Sequence, residues 1–183
     1  MEIDFFGSPL QKQVEELLTR ANTAPSSAGD PVKENPKDYV GRLWATRPRP
    51  GIDRCASAWL IRYFIDKKAR FTFADESLVP REAVPFDMFH GGFGHRGEDC
   101  TFETLQKVFS IRDRTVELIG QVIHDADLLD DKFGRTEGFG MDQVLIGWAK
   151  QGISDDQLLK RGMQLMEGLY ESIRSKSRQG NAR

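Results

Sequence analysis

The pattern of apolar and polar positions changes twice within Arg42–Asp66, RLWATRPRPGIDRCASAWLIRYFID. Leu43–Thr46 is a short apolar, β-prone run that predicts a strand. Pro48, Pro50 and Gly51 end it, because proline fixes φ and glycine admits a bend. Asp53 is placed to cap a helix in which Ala56, Trp59, Leu60, Tyr63 and Phe64 recur at helical spacing. Ala58, Ile61 and Ile65 fill further faces, and a helix apolar nearly all round is a buried one. This helix is therefore expected at the centre of the fold.

Ahead of it, Ser8–Arg20 has Leu10, Val14, Leu17 and Leu18 on one side and predicts a short amphipathic helix. Residues Ala21–Asp38, rich in Pro, Ser, Gly, Asn and charge, cannot bury enough apolar surface to fold alone and read as a linker. Downstream, Arg70–Ala74 and Phe86–Phe89 are candidate strands that would join Leu43–Thr46 in a small sheet. Helices are expected over Phe102–Phe109 (capped by Thr101 or Asp99), from Asp113 onwards, over Met141–Lys150, and over Ser154–Arg174. The Gly-rich, charged stretch Leu128–Gly140 reads as a loop. The expectation is an α+β fold: a mainly helical single domain over 39–175 with a small β-sheet and a buried central helix. A helix and linker over 1–38 would precede it, and a basic tail over 176–183 would follow.

Composition narrows the function classes only slightly. A hydrophobic content of 39% and a charged content of 30% suit an ordinary globular protein. The net charge of -2 argues against a general affinity for nucleic acid. No apolar run approaches a membrane span, and the N-terminus lacks the basic and apolar regions of a secretory signal, so the cytoplasm is the expected compartment. Cys55 and Cys100 sit in unlike contexts and suggest no disulfide framework, Cys55 reading as core.

The chemistry-bearing residues form two groups. Arg47 and Arg49 lie in the stiff Pro-Gly turn and Arg54 in the first turn of the following helix, where guanidinium forks and a helix N-terminus favour a tetrahedral oxyanion. Salt bridges to local carboxylates are the plainer alternative. His95, Glu98 and Cys100 lie just before a helix, and His124, Asp125 and Asp127 close the next one. Imidazole, thiolate and carboxylate are the side chains that bind zinc and other transition metals, so these six are the candidate ligands, provided the two motifs meet. Glu103 is a further carboxylate in reach. The alternative leaves His95 as a turn residue, Cys100 as a small buried hydrophobe and His124 as a helix-end cation. Cys100 could also be a reactive thiol, although no resolving cysteine accompanies it.

The segments WATRPRPGIDRCASAWLIRYFID, FGHRGEDCTFETL and IHDADLLDDKFGRTEG, in that order, resemble the C-terminal domain family of the chromate-resistance protein ChrB. The resemblance runs from about Leu43 to Tyr170. It implies a bacterial context of chromate resistance, and longer relatives in which the domain follows an N-terminal region and serves a chromate-responsive regulator. The matching positions are Asp53, Arg54, Trp59, His95, Gly97, Glu98, Cys100, Phe102, His124, Asp125 and Asp127; His90 does not match. The expectation is a domain that binds a metal ion, an oxyanion such as chromate, or both, in a sensing role. A metal-dependent enzyme using the same groups is the alternative. Chromate or a related oxyanion is the expected partner, a homodimer stays open, and neither nucleic acid nor a membrane is expected.

Overall fold

The computed structural model describes residues 33–89 and 91–180. The expected helix Ser8–Arg20, most of the linker and His90 lie outside the described residues. Three short parallel strands, β1 (Leu43–Thr46), β2 (Arg70–Phe73) and β3 (Val84–Pro85), form a sheet in the order β2-β1-β3. Among the described residues, five α-helices follow in chain order: α1 (Ile52–Leu60), α2 (Thr101–Val108), α3 (Arg114–Leu128), α4 (Glu137–Lys150) and α5 (Asp155–Gly180). The mainly helical α+β architecture is as the sequence predicts.

β1 holds the middle because Trp44, Ala45 and Thr46 are all buried, as befits a strand covered on both sides. Parallel neighbours need a crossover, and α1 supplies the one between β1 and β2. The helix ends in a single π-type turn over Ile61–Ile65, closed by the Asp66 N–H donating to the Ile61 carbonyl at 2.7 Å. The Asp66 carboxylate then gathers the N–H groups of Gly41, Arg42 and Lys68 at 2.8–2.9 Å and Trp44 Nε1 at 3.3 Å, tying the end of the crossover to the start of β1.

α1 is the buried centre. Ile52, Cys55, Ala56, Ala58, Trp59 and Leu60 are at most 3% exposed, and α2, α3 and α5 pack round it. α5 approaches closely at Gly162, where an added Cβ would lie 2.4 Å from Cys55 Sγ. Trp59 donates to Glu167 on α5 at 2.7 Å. Around the start of β1, Tyr39, Trp44, Phe86, Phe93 and Phe109 build an aromatic cluster with centroids 5.1–6.4 Å apart.

Several boundaries differ from the sequence expectation. The third strand is Val84–Pro85 instead of Phe86–Phe89, because Asp87 turns the chain at φ +46. Gly51, not Asp53, precedes the first turn of α1 as its cap. α2 is capped by Cys100 and runs over Thr101–Val108, with the Glu103 side chain accepting from the Cys100 N–H. α4 begins at Glu137, inside the expected loop. Gly138 lets it do so: a Cβ there would stand 2.4 Å from the Val122 carbonyl oxygen of α3. α5 extends to Gly180, beyond the expected Arg174. Asp113 does cap α3, accepting from Thr115 and Val116 at 2.8 and 3.0 Å. Among the described residues, no helix is long and apolar enough to cross a membrane.

Candidate metal centre and anion cavity

Asp53 stands in the first turn of α1 and is 2% exposed. Its carboxylate reaches across to the start of α2, accepting from the N–H groups of Thr101 at 3.0 Å and Phe102 at 2.9 Å. A buried carboxylate is tolerated there because two otherwise orphaned helix donors satisfy it. His95, in the turn before α2, brings Nε2 to 3.3 Å from Asp53 Oδ2 and 3.4 Å from Asp127 Oδ2 at the end of α3. One donor atom from each of Asp53, His95 and Asp127 lies within 4.8 Å of the others.

Asp87 flanks this group, with Oδ1 3.7 Å from His95 Nε2 and accepting from Thr101 Oγ1 at 3.2 Å. Its other oxygen receives Arg47 Nη2 at 3.2 Å and Arg54 Nε at 3.1 Å. Arg54 also donates to the carbonyls of Arg47 and Pro48, which fixes the guanidinium against the Pro-Gly turn. A small cavity of about 120 Å³ opens among Arg47, Arg54, Asp53, Asp87, His95 and Asp127. A larger one, about 380 Å³, adjoins it and shares Arg47, Asp87 and His95.

The electrostatics reflect this crowding of acids. Burial and the charge of Asp53 push the Asp127 carboxyl up to about 6, although His95 pulls the other way. The hydrogen bond to Asp53 raises His95 against the opposing effect of burial. Two carboxylates and one imidazole are a donor set suited to a first-row divalent ion. The unfavourable ionisation of Asp127 is what such an ion would relieve, so the residues fit one.

The structure thus brings together two of the six candidate ligands, His95 and Asp127. His124 faces elsewhere: fully buried, it places Nδ1 2.6 Å from Glu103 Oε2 and Nε2 3.2 Å from Asp130 Oδ2. Burial alone would lower the pKa of His124, but the two carboxylates outweigh it and raise it. Asp125 accepts from the N–H groups of Phe133 and Arg135 and organises the loop after α3. Glu98 is exposed and pairs with Lys132 at 3.1 Å. Cys100 is buried, and burial together with the Asp53 charge raises its thiol well above the ordinary range, the opposite of a reactive thiolate.

Of the three candidate anion-binding arginines, Arg47 and Arg54 border the site. Arg49 turns away at φ +55 and is bound to Asp155 and to the carbonyls of Ile153 and Ala149. Two acids escaped the sequence reading as site residues. Asp53 could have been noticed as a charge in an otherwise apolar helix; Asp87 carries no local signal beyond its apolar neighbours.

The profile of the ChrB C-terminal domain matches residues 44–173. The chain belongs to this family. It is 31% identical over 186 residues to Protein ChrB of Cupriavidus metallidurans (strain CH34), a match that covers 95% of the chain. The chain spans 57% of the length of that ChrB. No solved structure matches.

Proposed function

We propose that this ChrB-family domain binds a divalent cation at Asp53, His95 and Asp127, and that the cation recruits an oxyanion, chromate being the expected one, into the adjoining cavity. The observation that carries the reading is the convergence of those three side chains from α1, the turn before α2 and the end of α3. Membership of the ChrB family supports a role in chromate resistance, and a sensing or regulatory function follows if ligand occupancy is what the domain reports. Asp53 links the site to the fold: any ligand that draws on its charge acts on the first turn of α2, whose N–H groups it caps.

A metal-dependent enzyme is the second reading, favoured by one observation. The His95 side chain is 42% exposed and borders both cavities, so a cation beside it keeps a face open to a substrate. Metal analysis of tag-free protein, with calorimetric titration of Mn²⁺ and Zn²⁺, tests the cation site. Wild type should take up about one equivalent, as a single three-residue site implies. His95→Ala and Asp127→Asn should each lose it, and His124→Gln should keep it. Equal uptake by wild type and His95→Ala refutes the site. Cation-dependent turnover of a generic phosphoester, abolished by His95→Ala, would move the reading from sensor to enzyme.

A further inference from the structure

We infer that Arg96 is the anion-anchoring residue of this site and that its ligand is a doubly charged anion held more tightly once the cation is in place. The inference rests on the cation reading above and assigns the second ligand.

Arg47 and Arg54 are poor candidates for sole anion receptors. Both guanidiniums are engaged with Asp87, and Arg54 spends further donors on main-chain carbonyls. Arg49 is committed to the start of α5. Arg96 differs: it lines the larger cavity, is exposed, and its side chain pairs with no carboxylate among the described residues.

Its backbone is nevertheless fixed. Arg96 and Asp99 exchange hydrogen bonds at 3.1 and 3.0 Å across a tight turn that Gly97 permits at φ +60. Lys107 pins Asp99 from α2 at 2.6–2.7 Å. The Arg96 backbone is thus held one residue from His95, and its side chain lines a cavity that Arg47 also lines. Gly92, another residue of that lining, packs against Pro85 so closely that a Cβ there would lie 2.2 Å from the Pro85 carbonyl oxygen.

Charge sets the ligand class and what the cation adds. Asp53, Asp87 and Asp127 bring three negative charges, and the guanidiniums of Arg47, Arg54 and Arg96 balance them. Without a cation these charges cancel, and an anion gains little net attraction. A divalent ion brings the balance to two positive charges. A dianion neutralises that pair of charges, whereas a monoanion leaves one unbalanced.

The test uses Co²⁺ as the probe cation, followed by its visible absorption, with sulfate and selenate as dianions and nitrate and perchlorate as monoanions. Co²⁺-loaded wild type should bind sulfate and selenate well ahead of nitrate and perchlorate, and metal-free protein should bind the two dianions far more weakly. Arg96→Gln should take up Co²⁺ with unchanged affinity but lose roughly ten- to hundredfold in sulfate affinity, the worth of a charge-assisted contact. Arg49→Gln should leave sulfate affinity as in wild type. Equal sulfate affinity in wild type and Arg96→Gln overturns the assignment while the cation site stands, and so does equal binding of sulfate and nitrate. Failure of Co²⁺ to bind wild type overturns the cation reading and this inference with it.

Discussion

Asp127→Asn should stabilise the cation-free protein at neutral pH while destroying the proposed cation site. Asp127 has its pKa raised from an ordinary 3.8 to about 6 by burial and by the charge of Asp53. An acid with a raised folded-state pKa contributes its full share of stability below the unfolded value. That share is lost as pH rises from about 4 through about 6, because the unfolded chain releases the proton first. The rise corresponds to about 3 kcal/mol at 1.36 kcal/mol per tenfold. The Asp127 side chain is 27% exposed, so water screens part of it, and about 1–2 kcal/mol is the expected cost at pH 7. His95, also raised, slopes stability in the same direction. Urea unfolding of chelator-treated protein at pH 4.5 and pH 7.5 measures this. Wild type should be the more stable at pH 4.5, and Asp127→Asn should gain at pH 7.5 and show the flatter profile. Saturating Mn²⁺ should raise wild type at pH 7.5 and leave the variant unchanged. A variant less stable than wild type at pH 7.5 without metal would refute the argument that Asp127 is held ionised against its surroundings.

Two further outcomes follow from the packing. Asp66→Ala strands the N–H groups of Gly41 and Arg42 and frees Trp44 Nε1, so it should cost roughly 3–4 kcal/mol in urea unfolding, with an unchanged profile counting against its role as the tie. Gly162→Ala forces a methyl to 2.4 Å from Cys55 Sγ and 2.6 Å from Cys55 Cβ; overpacking of about 1–3 kcal/mol should exceed the gain in helix propensity and lower the melting temperature, whereas a rise would show that α5 moves aside freely.

The fold was legible where one local pattern decides an element. Trp44–Thr46 and the all-apolar face of α1 announce burial by themselves, and Asp113 caps the helix it directly precedes. Reading failed where the partner lies far along the chain. Asp53 looks like a cap for its own helix, yet its carboxylate serves α2, because the packing of α1 against α2 puts the orphaned N–H groups of Thr101 and Phe102 beside it. Gly138 looks like loop chemistry, but that glycine is needed for α4 to cross α3 at the Val122 carbonyl. His124 and Asp127 stand three residues apart near the end of α3, yet they meet different partners. Asp127 ends the helix beside His95, while His124 is walled in by Glu103 and Asp130.

The donors of the candidate centre come from three separate stretches of chain, around residues 53, 95 and 127. No segment of the unfolded polypeptide holds two of them together, so a cation has almost nothing to grip until α1, the turn before α2 and the end of α3 are docked. The grip of a cation bound there would be a late event on the folding path. By rate–stability coupling, an interaction missing from the transition state leaves the folding rate alone and slows unfolding. Occupancy would then act as a latch on the assembled domain, lengthening the lifetime of the native state in step with how long the ion stays bound.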